Sequence, residues 1–189
     1  MTVSRGSPTA RLARVGFTEP SSAALLLGAP ALAGLAGDDR LLTALAATAD
    51  PDAALTGLTL LLEAAEDADD LIHELDRDSR LRGGLLDVLG ASQALSEHLV
   101  RHPEHWRLLG DADGGGAVRP SGAGLRAEML TAVGADFLID EPVATHADAV
   151  DALRVAYRGA VLRLAARDLT GSVEVSDCLL YTSPSPRDS

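Results

Sequence analysis

Three histidines lie close together in this chain, at a spacing that could place three imidazoles on one side of a helix. His98, His102 and His105 span two turns of a helix with 3.6 residues per turn. Three imidazoles on one helix face could hold a zinc ion. Pro103 interrupts the run, because the residue before a proline avoids the α-helical region. We therefore expect the helix to end at His102 and the three histidines not to bind a metal.

Paired carboxylates are the second feature that could bind metal ions. Two-metal chemistry at phosphates needs carboxylates that are fixed on a strand or a rigid turn beside a phosphate-binding loop. The pairs in this chain fall instead on predicted helix surfaces or in a glycine-rich segment, so we expect none of them to be catalytic. They are Asp67 with Asp69, Asp76 with Asp78, and Asp111 with Asp113.

The remaining chemical motifs are incomplete. Gly122, Gly124 and Ala127 match the spacing of a G-x-G-x-x-A dinucleotide fingerprint, but no buried strand is predicted before them. His73-Glu74 lacks the second histidine of an HExxH zinc motif. The chain has no lysine, which excludes a Walker A loop and a Schiff-base lysine, and nothing resembles a nucleophile elbow. We predict no catalytic, cofactor-binding or metal-binding residue in this chain.

Composition narrows the classes of function further. The 189 residues carry a net charge of −12, which argues against a nucleic acid partner because phosphate binding needs clustered cations. The single cysteine, Cys178, allows no internal disulfide and fits a reducing compartment, so we expect a cytoplasmic protein. Residues 21–37 are uncharged, but Gly28 and Pro30 break them, and we expect neither an export signal nor a membrane span.

Apolar residues recur at helical spacing along most of the chain, and no segment shows sustained alternation, so we predict an all-α fold, a multi-helix array or bundle. The acidic run from Glu63 to Asp70 either breaks or continues a helix that begins at Asp50-Pro51. Trp106 is the one large aromatic residue available to a core of Leu and Ala. The other predicted helices cover 9–15, 20–27 capped by Thr18, 30–35, 40–48, 79–90, 93–102, 103–110 and 125–133.

The longest uninterrupted helical segment runs from Thr145 to Gly171. Thr145 and Asp148 have the spacing of a capping box, and Gly171 would stop the helix. Its first apolar stripe is Leu153, Tyr157, Val161 and Leu164. A second patch, which we expect to face a domain outside this chain, is Val155, Leu162, Ala166 and Leu169. We expect Asp168, placed unfavourably near a helix C-terminus, to form an internal ion pair with an arginine.

The chain divides into four predicted parts. A helical subdomain covers residues 1–110, and residues 111–124 form a glycine-rich linker or a long loop. A helical segment follows over 125–177. Residues 178–189 change abruptly in composition and look like translated adapter sequence, so they are left out of the predicted fold.

Two segments resemble the N-terminal helical region of the bacterial bifunctional glutamine synthetase adenylyltransferase and adenylyl-removing enzyme, in its actinobacterial form. The first is VLGASQALSEHLVRHPEHWRLL, with a helix cap at Gly90 and Ser92 and a break at Arg101-His102-Pro103. The second is LRVAYRGAVLRLAARDLTG, which ends in a pattern carried by Leu164, Ala165, Arg167, Asp168, Leu169 and Gly171. RVGFTEPSSAALLL and TADPDAALTGLTLLLEA are similar to the start of actinobacterial members, and the resemblance covers residues 10–177.

This resemblance implies a truncated part of an enzyme that adenylylates and, by phosphorolysis, deadenylylates a tyrosine of glutamine synthetase. Such enzymes carry two nucleotidyltransferase domains, each with a Gly-Ser loop and an Asp-x-Asp motif, which use ATP and Mg²⁺. The first would follow residue 177, and Gly171-Ser172 with Asp177 is no substitute for it. The implied partners are glutamine synthetase and a PII-type signal protein, and the fragment itself is expected to bind no cofactor and to be inactive. A non-enzymatic helical interaction module and a metallohydrolase that uses the histidines are the alternatives.

Overall fold

Helices follow one another along the described part of the chain, which in this computed structural model is residues 8–35, 39–110, 122–136, 138 and 143–169. These residues form ten α-helices and two 3₁₀ helices and no β-strand, so the all-α prediction is confirmed. The first five α-helices are α1 (Pro8–Val15), α2 (Pro20–Leu27), α3 (Asp39–Ala47), α4 (Pro51–Ala64) and α5 (Ala68–Arg77). The others are α6 (Ser79–Ala91), α7 (Gln93–Arg101), α8 (Arg107–Gly110), α9 (Gly122–Ala132) and α10 (Ala149–Leu169), and the 3₁₀ helices are Pro30–Leu32 and Pro103–Trp106.

Side-chain caps start three of these helices where the sequence predicts a start. The Asp50 carboxylate accepts a hydrogen bond from the Ala53 N–H at 2.9 Å, with Pro51 in the first turn of α4. The hydroxyl of Ser92 accepts from Leu95 N–H at the start of α7. Asp78 accepts from two backbone N–H groups at the start of α6. The acidic run breaks the helix, since α4 ends at Ala64 and α5 begins at Ala68.

The start of α2 differs from the prediction. Thr18 does not cap this helix; instead its backbone N–H and its hydroxyl both donate to Asp52 Oδ2, at 2.7 and 2.9 Å. The N–H of Glu19 donates to the other oxygen of the same carboxylate. Asp52 belongs to α4, so a carboxylate that is distant in sequence satisfies the free N–H groups ahead of α2. This contact ties the N-terminal helices to the centre of the fold.

The core is centred on α4 and α6, which pack against each other and against α7. Gly57 of α4 allows this close approach, because a Cβ there would lie 2.7 Å from Ser96 Oγ and 3.0 Å from Leu89 Cδ2. Fully buried leucines fill the interface, and they include Leu55, Leu58, Leu61, Leu85, Leu86 and Leu89. Trp106 is also buried, as its position in the sequence predicts.

Residues 21–35, the described part of the uncharged run, contribute to this core. Leu32 and Leu35 are almost fully buried, and α2 packs against α4. The helix predicted over 30–35 is shorter in the structure, where a 3₁₀ helix covers only Pro30–Leu32. No helix in the described residues has the length and apolar composition to cross a membrane.

The last helix is shorter than predicted and buries the opposite face. It begins at Ala149, and the Thr145 hydroxyl donates to the Gly134 carbonyl at 2.8 Å, so the predicted capping box is wrong. Leu162 and Ala166 are buried, whereas most of the first stripe is exposed. The physical reason is Gly159, which lies on the buried face and lets α10 approach the rest of the fold closely.

Two parts of the predicted organisation lie partly outside the described residues. Residues 111–121 of the predicted linker are not described, but Gly122 and Gly124 belong to α9, which begins three residues earlier than predicted. The predicted adapter-derived tail, 178–189, also lies outside them, as do Gly171, Ser172 and Asp177. The proposed division of the chain into subdomains therefore stays a prediction.

Candidate functional site

The three histidines meet at the corner between α7 and the Pro103–Trp106 turn. As predicted, α7 ends before Pro103, with His102 as its C-terminal cap. The 3₁₀ helix Pro103–Trp106 follows directly, and in it His105 lies beside His98. The ring centroid of His98 lies 4.9 Å from those of His102 and His105, and the centroids of His102 and His105 are 5.5 Å apart. The proline thus ends the helix, but the three imidazoles remain close together. The sequence alone did not predict this contact. We call these three residues the histidine cluster.

A direct hydrogen bond joins two members of the histidine cluster. His98 Nε2 and His105 Nδ1 are 2.9 Å apart, so one ring donates an N–H and the other accepts. His98 is 1% exposed, and its burial lowers the pKa from 6.5 to about 4, with further lowering by His105, His102 and Arg158 and an opposing effect of Glu104. Burial also lowers the pKa of His105. Both imidazoles of this pair are therefore neutral at pH 7.

The geometry of the cluster favours a structural role over metal binding. Nitrogens of His98 and His105 face each other and are already used in their mutual hydrogen bond. Glu104 Oε1 lies 3.7 Å from His102 Nδ1 and 3.9 Å from His105 Nε2, beyond hydrogen-bonding distance. Among the described residues, no group of three or more His, Cys, Asp or Glu side chains is arranged to hold a metal ion.

Helix α10 covers the histidine cluster. A Cβ on Gly159 would lie 3.3 Å from Leu108 Cδ1 and 3.5 Å from His105 Cε1, so the helix backbone runs directly over the imidazole. Arg163, one turn further along α10, forms a half-buried ion pair with Glu128 of α9, at 2.7 Å from Oε1. The histidine cluster thus lies beneath α10, and the ion pair of Arg163 and Glu128 joins α10 to α9.

A shallow cavity of about 250 Å³ lies beside the same corner. Arg107 crosses it, with its Nη2 2.8 Å from Asp70 Oδ2 and 3.4 Å from Asp67 Oδ2 and its guanidinium 4.6 Å from the centre of the Trp106 ring. Asp67, one member of the candidate pair with Asp69, thus forms an exposed ion pair with Arg107 that Asp70 shares. The lining residues are Ala64, Ala65, Glu66, Asp67, Pro103, Glu104, Trp106 and Arg107.

Two of the other candidate carboxylates, Asp76 and Asp78, make structural contacts. Asp76 forms an ion pair with Arg40, and Asp78 caps α6. Asp69 is exposed at the start of α5. Asp111 and Asp113 lie outside the described residues. These positions are on helices or helix caps, and none of the described carboxylates lies on a strand beside a phosphate-binding loop.

The incomplete motifs are placed in ordinary helices. Gly122, Gly124 and Ala127 all belong to α9, so the glycines do not form the turn between a strand and a helix that a dinucleotide site requires. His73 is exposed on α5, and the neighbouring Glu74 pairs with Arg77 at 3.3 Å.

Two charged residues differ from expectation. Arg82 is buried, which the sequence did not predict; its Nη1 donates to the Leu75 carbonyl at the end of α5, while its Nε has no hydrogen-bond partner. The only sign of this burial in the sequence is that Arg82 lies in α6 among apolar residues that are also buried. Asp168 is exposed near the end of α10 and not internal as expected, and its ion pair with an arginine stays a prediction.

The fold and this site define a class of protein: an all-helical segment, over the described residues, with a cluster of histidines packed between its helices. No protein-family model matches the chain, and no solved structure matches it. The chain is 42% identical over 178 residues, 92% of its length, to the bifunctional glutamine synthetase adenylyltransferase/adenylyl-removing enzyme of Streptomyces coelicolor.

Proteins of the same name from other organisms give similar values. The identity is 41% over 91% of the chain for Streptomyces avermitilis and 38% over 75% for Mycobacterium tuberculosis. The resemblance seen in the sequence is therefore confirmed: the chain is homologous to one segment of these bifunctional enzymes. It spans only 13–16% of the length of the curated relatives it matches.

Proposed function

We propose that this chain is the N-terminal helical part of an enzyme that adenylylates and deadenylylates glutamine synthetase and thereby regulates nitrogen assimilation. The observation that carries the proposal is the 42% identity to the Streptomyces coelicolor enzyme across 92% of the chain. The agreement extends over nearly all of this helical segment and is not limited to one short motif, which makes a chance match or a shared local pattern a poor explanation.

The role of the segment in this proposal is to support a catalytic domain. Several of its described acids and histidines are used in helix caps, ion pairs and a histidine hydrogen bond. ATP and Mg²⁺ would bind in nucleotidyltransferase domains elsewhere in the longer enzyme, where metal ions neutralise the charge that develops at phosphorus. We accordingly propose that this chain alone lacks the catalytic motifs and neither adds nor removes an adenylyl group.

The partners of the longer enzyme follow from the same proposal. Glutamine synthetase would be the protein substrate, and a PII-type signal protein the regulator. Both reactions would take place in the cytoplasm. The net charge of −12 supports a protein partner in preference to a nucleic acid.

Activity measurements test the proposal directly. The 189-residue chain and the longer protein encoded at its own locus are each incubated with glutamine synthetase and ATP radiolabelled at the α-phosphate. Deadenylylation is followed separately, as phosphate-dependent release of ADP from adenylylated glutamine synthetase. We expect turnover by the longer protein and none by the chain alone. Turnover by the pure chain above a buffer blank would contradict the assignment of catalysis to other domains, and an inactive longer protein would contradict the proposed function.

A second candidate is a non-enzymatic helical module that binds a partner protein. The exposed apolar face of α10 is the observation that favours it. The gene separates the two candidates: a Gly-Ser loop and an Asp-x-Asp motif encoded soon after Asp177 support the enzyme, whereas a stop codon at that point supports the binding module.

A further inference from the structure

One face of α10 carries a row of large apolar side chains that nothing in the described structure covers. Val150, Leu153, Tyr157 and Leu164 are 64%, 41%, 62% and 58% exposed. They lie on one side of the helix, because their spacings of three, four and seven residues are close to whole turns. The row is about 21 Å long at a rise of 1.5 Å per residue. We call it the α10 stripe.

The α10 stripe differs from the other exposed apolar residues. Nine large hydrophobic side chains are exposed among the described residues, and five of them, the stripe and Leu169, belong to α10. Exposed apolar residues elsewhere, such as Leu25 on α2 and Leu60 on α4, are single, which is normal for a protein surface. The opposite side of α10 is already buried through Leu162 and Ala166. A helix that is apolar on two opposite sides is typical of a helix covered on both.

We infer that the α10 stripe is the docking face for an amphipathic helix from the rest of the longer polypeptide. This inference rests on the proposed function, because it requires that further chain. The curated relatives are the supporting observation: the matched region is 16% of the Streptomyces coelicolor enzyme, so most of such a protein lies outside this segment. The last described helix, α10, is also the element nearest in sequence to the chain that would follow.

A second copy of this chain is a poorer occupant of the stripe. A stable dimer buries about 800 Å² on each partner and uses about 20–30 residues a side. The stripe offers four large side chains on one helix. In addition, two copies that each carry a net charge of −12 repel one another. Both arguments favour a tethered partner, which does not have to meet the entropic cost of association between separate molecules.

Charge at the edge of the stripe indicates the chemistry of the docking helix. Arg154 and Arg158 lie along one side of it and are exposed. Arg154 pairs with Asp151 at 2.8 Å, whereas the positive charge of Arg158 acts on His98, whose pKa it helps to lower after the larger effects of burial and of the two other histidines. A helix with an apolar face and a carboxylate opposite Arg158 would cover the stripe and also neutralise that charge.

Cysteine labelling tests this inference without reference to activity. Leu153→Cys and Leu164→Cys report on the stripe, and Leu60→Cys on α4 is the matched control, since Leu60 is 46% exposed but stands alone. Each variant is made in the 189-residue chain, with Cys178→Ser, and in the longer protein encoded at its locus. Labelling by N-ethylmaleimide is timed and located by peptide mass spectrometry. Circular dichroism confirms that each variant is folded.

We expect the stripe cysteines to react about tenfold more slowly in the longer protein than in the chain alone, and Leu60→Cys to react equally in both. Equal rates at the stripe would overturn the inference. Protection that appears in the chain alone and increases with its concentration would also overturn it, because a second copy would then be the occupant. A longer protein that protects the stripe but does not act on glutamine synthetase would refute only the proposed function, whereas an active protein with an unprotected stripe would refute only this inference.

Discussion

Acid should destabilise this fold through the buried pair of His98 and His105. In the folded chain His98 is 1% exposed and its pKa is lowered from 6.5 to about 4, chiefly by burial. The unfolded chain therefore binds a proton near pH 6.5, whereas the folded chain resists it until about pH 4. Stability from this group is fully present above pH 6.5 and is lost as the pH falls towards 4.

The expected magnitude follows from the two pKa values. A difference of one pKa unit corresponds to about 1.4 kcal/mol, so His98 alone should remove about 3 kcal/mol once the pH is well below 4. Between pH 7 and pH 5 the loss should be about 2 kcal/mol. The pKa of His105 is also lowered by burial, and its contribution has the same sign.

Urea denaturation measures this effect, with Trp106 fluorescence and circular dichroism as probes. The free energy of unfolding is determined at several pH values from 7.5 to 5 for the wild type and for His98→Gln, which cannot titrate. His73→Gln, at an exposed histidine on α5, is the matched control. We expect His98→Gln to be less stable at pH 7 but to lose about 2 kcal/mol less than the wild type on going to pH 5.

The site-specific check is the imidazole NMR signal of His98. A midpoint near 6.5 in the folded chain would refute the reasoning, because it would mean that burial does not penalise the charged ring. An identical pH dependence for the wild type and His98→Gln would refute it as well. If His73→Gln changed the pH dependence as strongly as His98→Gln, the effect could not be assigned to the histidine cluster.

Three further predictions concern packing, and chemical denaturation checks each of them. Gly159→Leu should destabilise the chain by about 1–3 kcal/mol, because its side chain would meet Leu108 and His105, whereas Gly83→Ala, with open space around it, should stabilise it by up to about 1 kcal/mol. A double-mutant cycle of Glu128→Gln and Arg163→Gln should give a coupling of about 1 kcal/mol for the half-buried pair, and zero coupling would contradict it. Leu58→Ala in the core should cost about 2–5 kcal/mol, and a cost below about 0.5 kcal/mol would mean that α4 is not central.

Local sequence signals predicted most of the helices. Asp50-Pro51 and Ser92 mark the helix starts that the structure has, and Pro103 ends α7 where expected. These signals depend on backbone geometry and on hydrogen bonds over three or four residues, so they can be read without knowledge of the fold. The resemblance to the bifunctional enzymes could also be seen without knowledge of the fold, and the comparison with curated proteins confirms it.

The candidate site was harder to predict, because its geometry depends on contacts between distant residues. The predicted helix end before Pro103 is confirmed, but the contact of His105 with His98, at hydrogen-bonding distance across this break, was not predicted. The hydrogen bonds of Asp52 to the residues before α2 and the burial of Arg82 also depend on contacts between distant residues. Each joins groups on different elements, and no periodic pattern in one element indicates its partner in another.

The sequence by itself determined that this is a helical segment homologous to part of the bifunctional adenylyltransferases, and it determined the main helix boundaries. Only the tertiary structure decided which face of α10 is buried. Both faces are apolar in sequence, so periodicity could not distinguish them. The choice depends on Gly159, which allows α10 to lie against Leu108 and His105 and leaves Tyr157 and its neighbours exposed. Close packing of backbone against side chains is a property of the assembled fold, and a helix considered alone does not contain it.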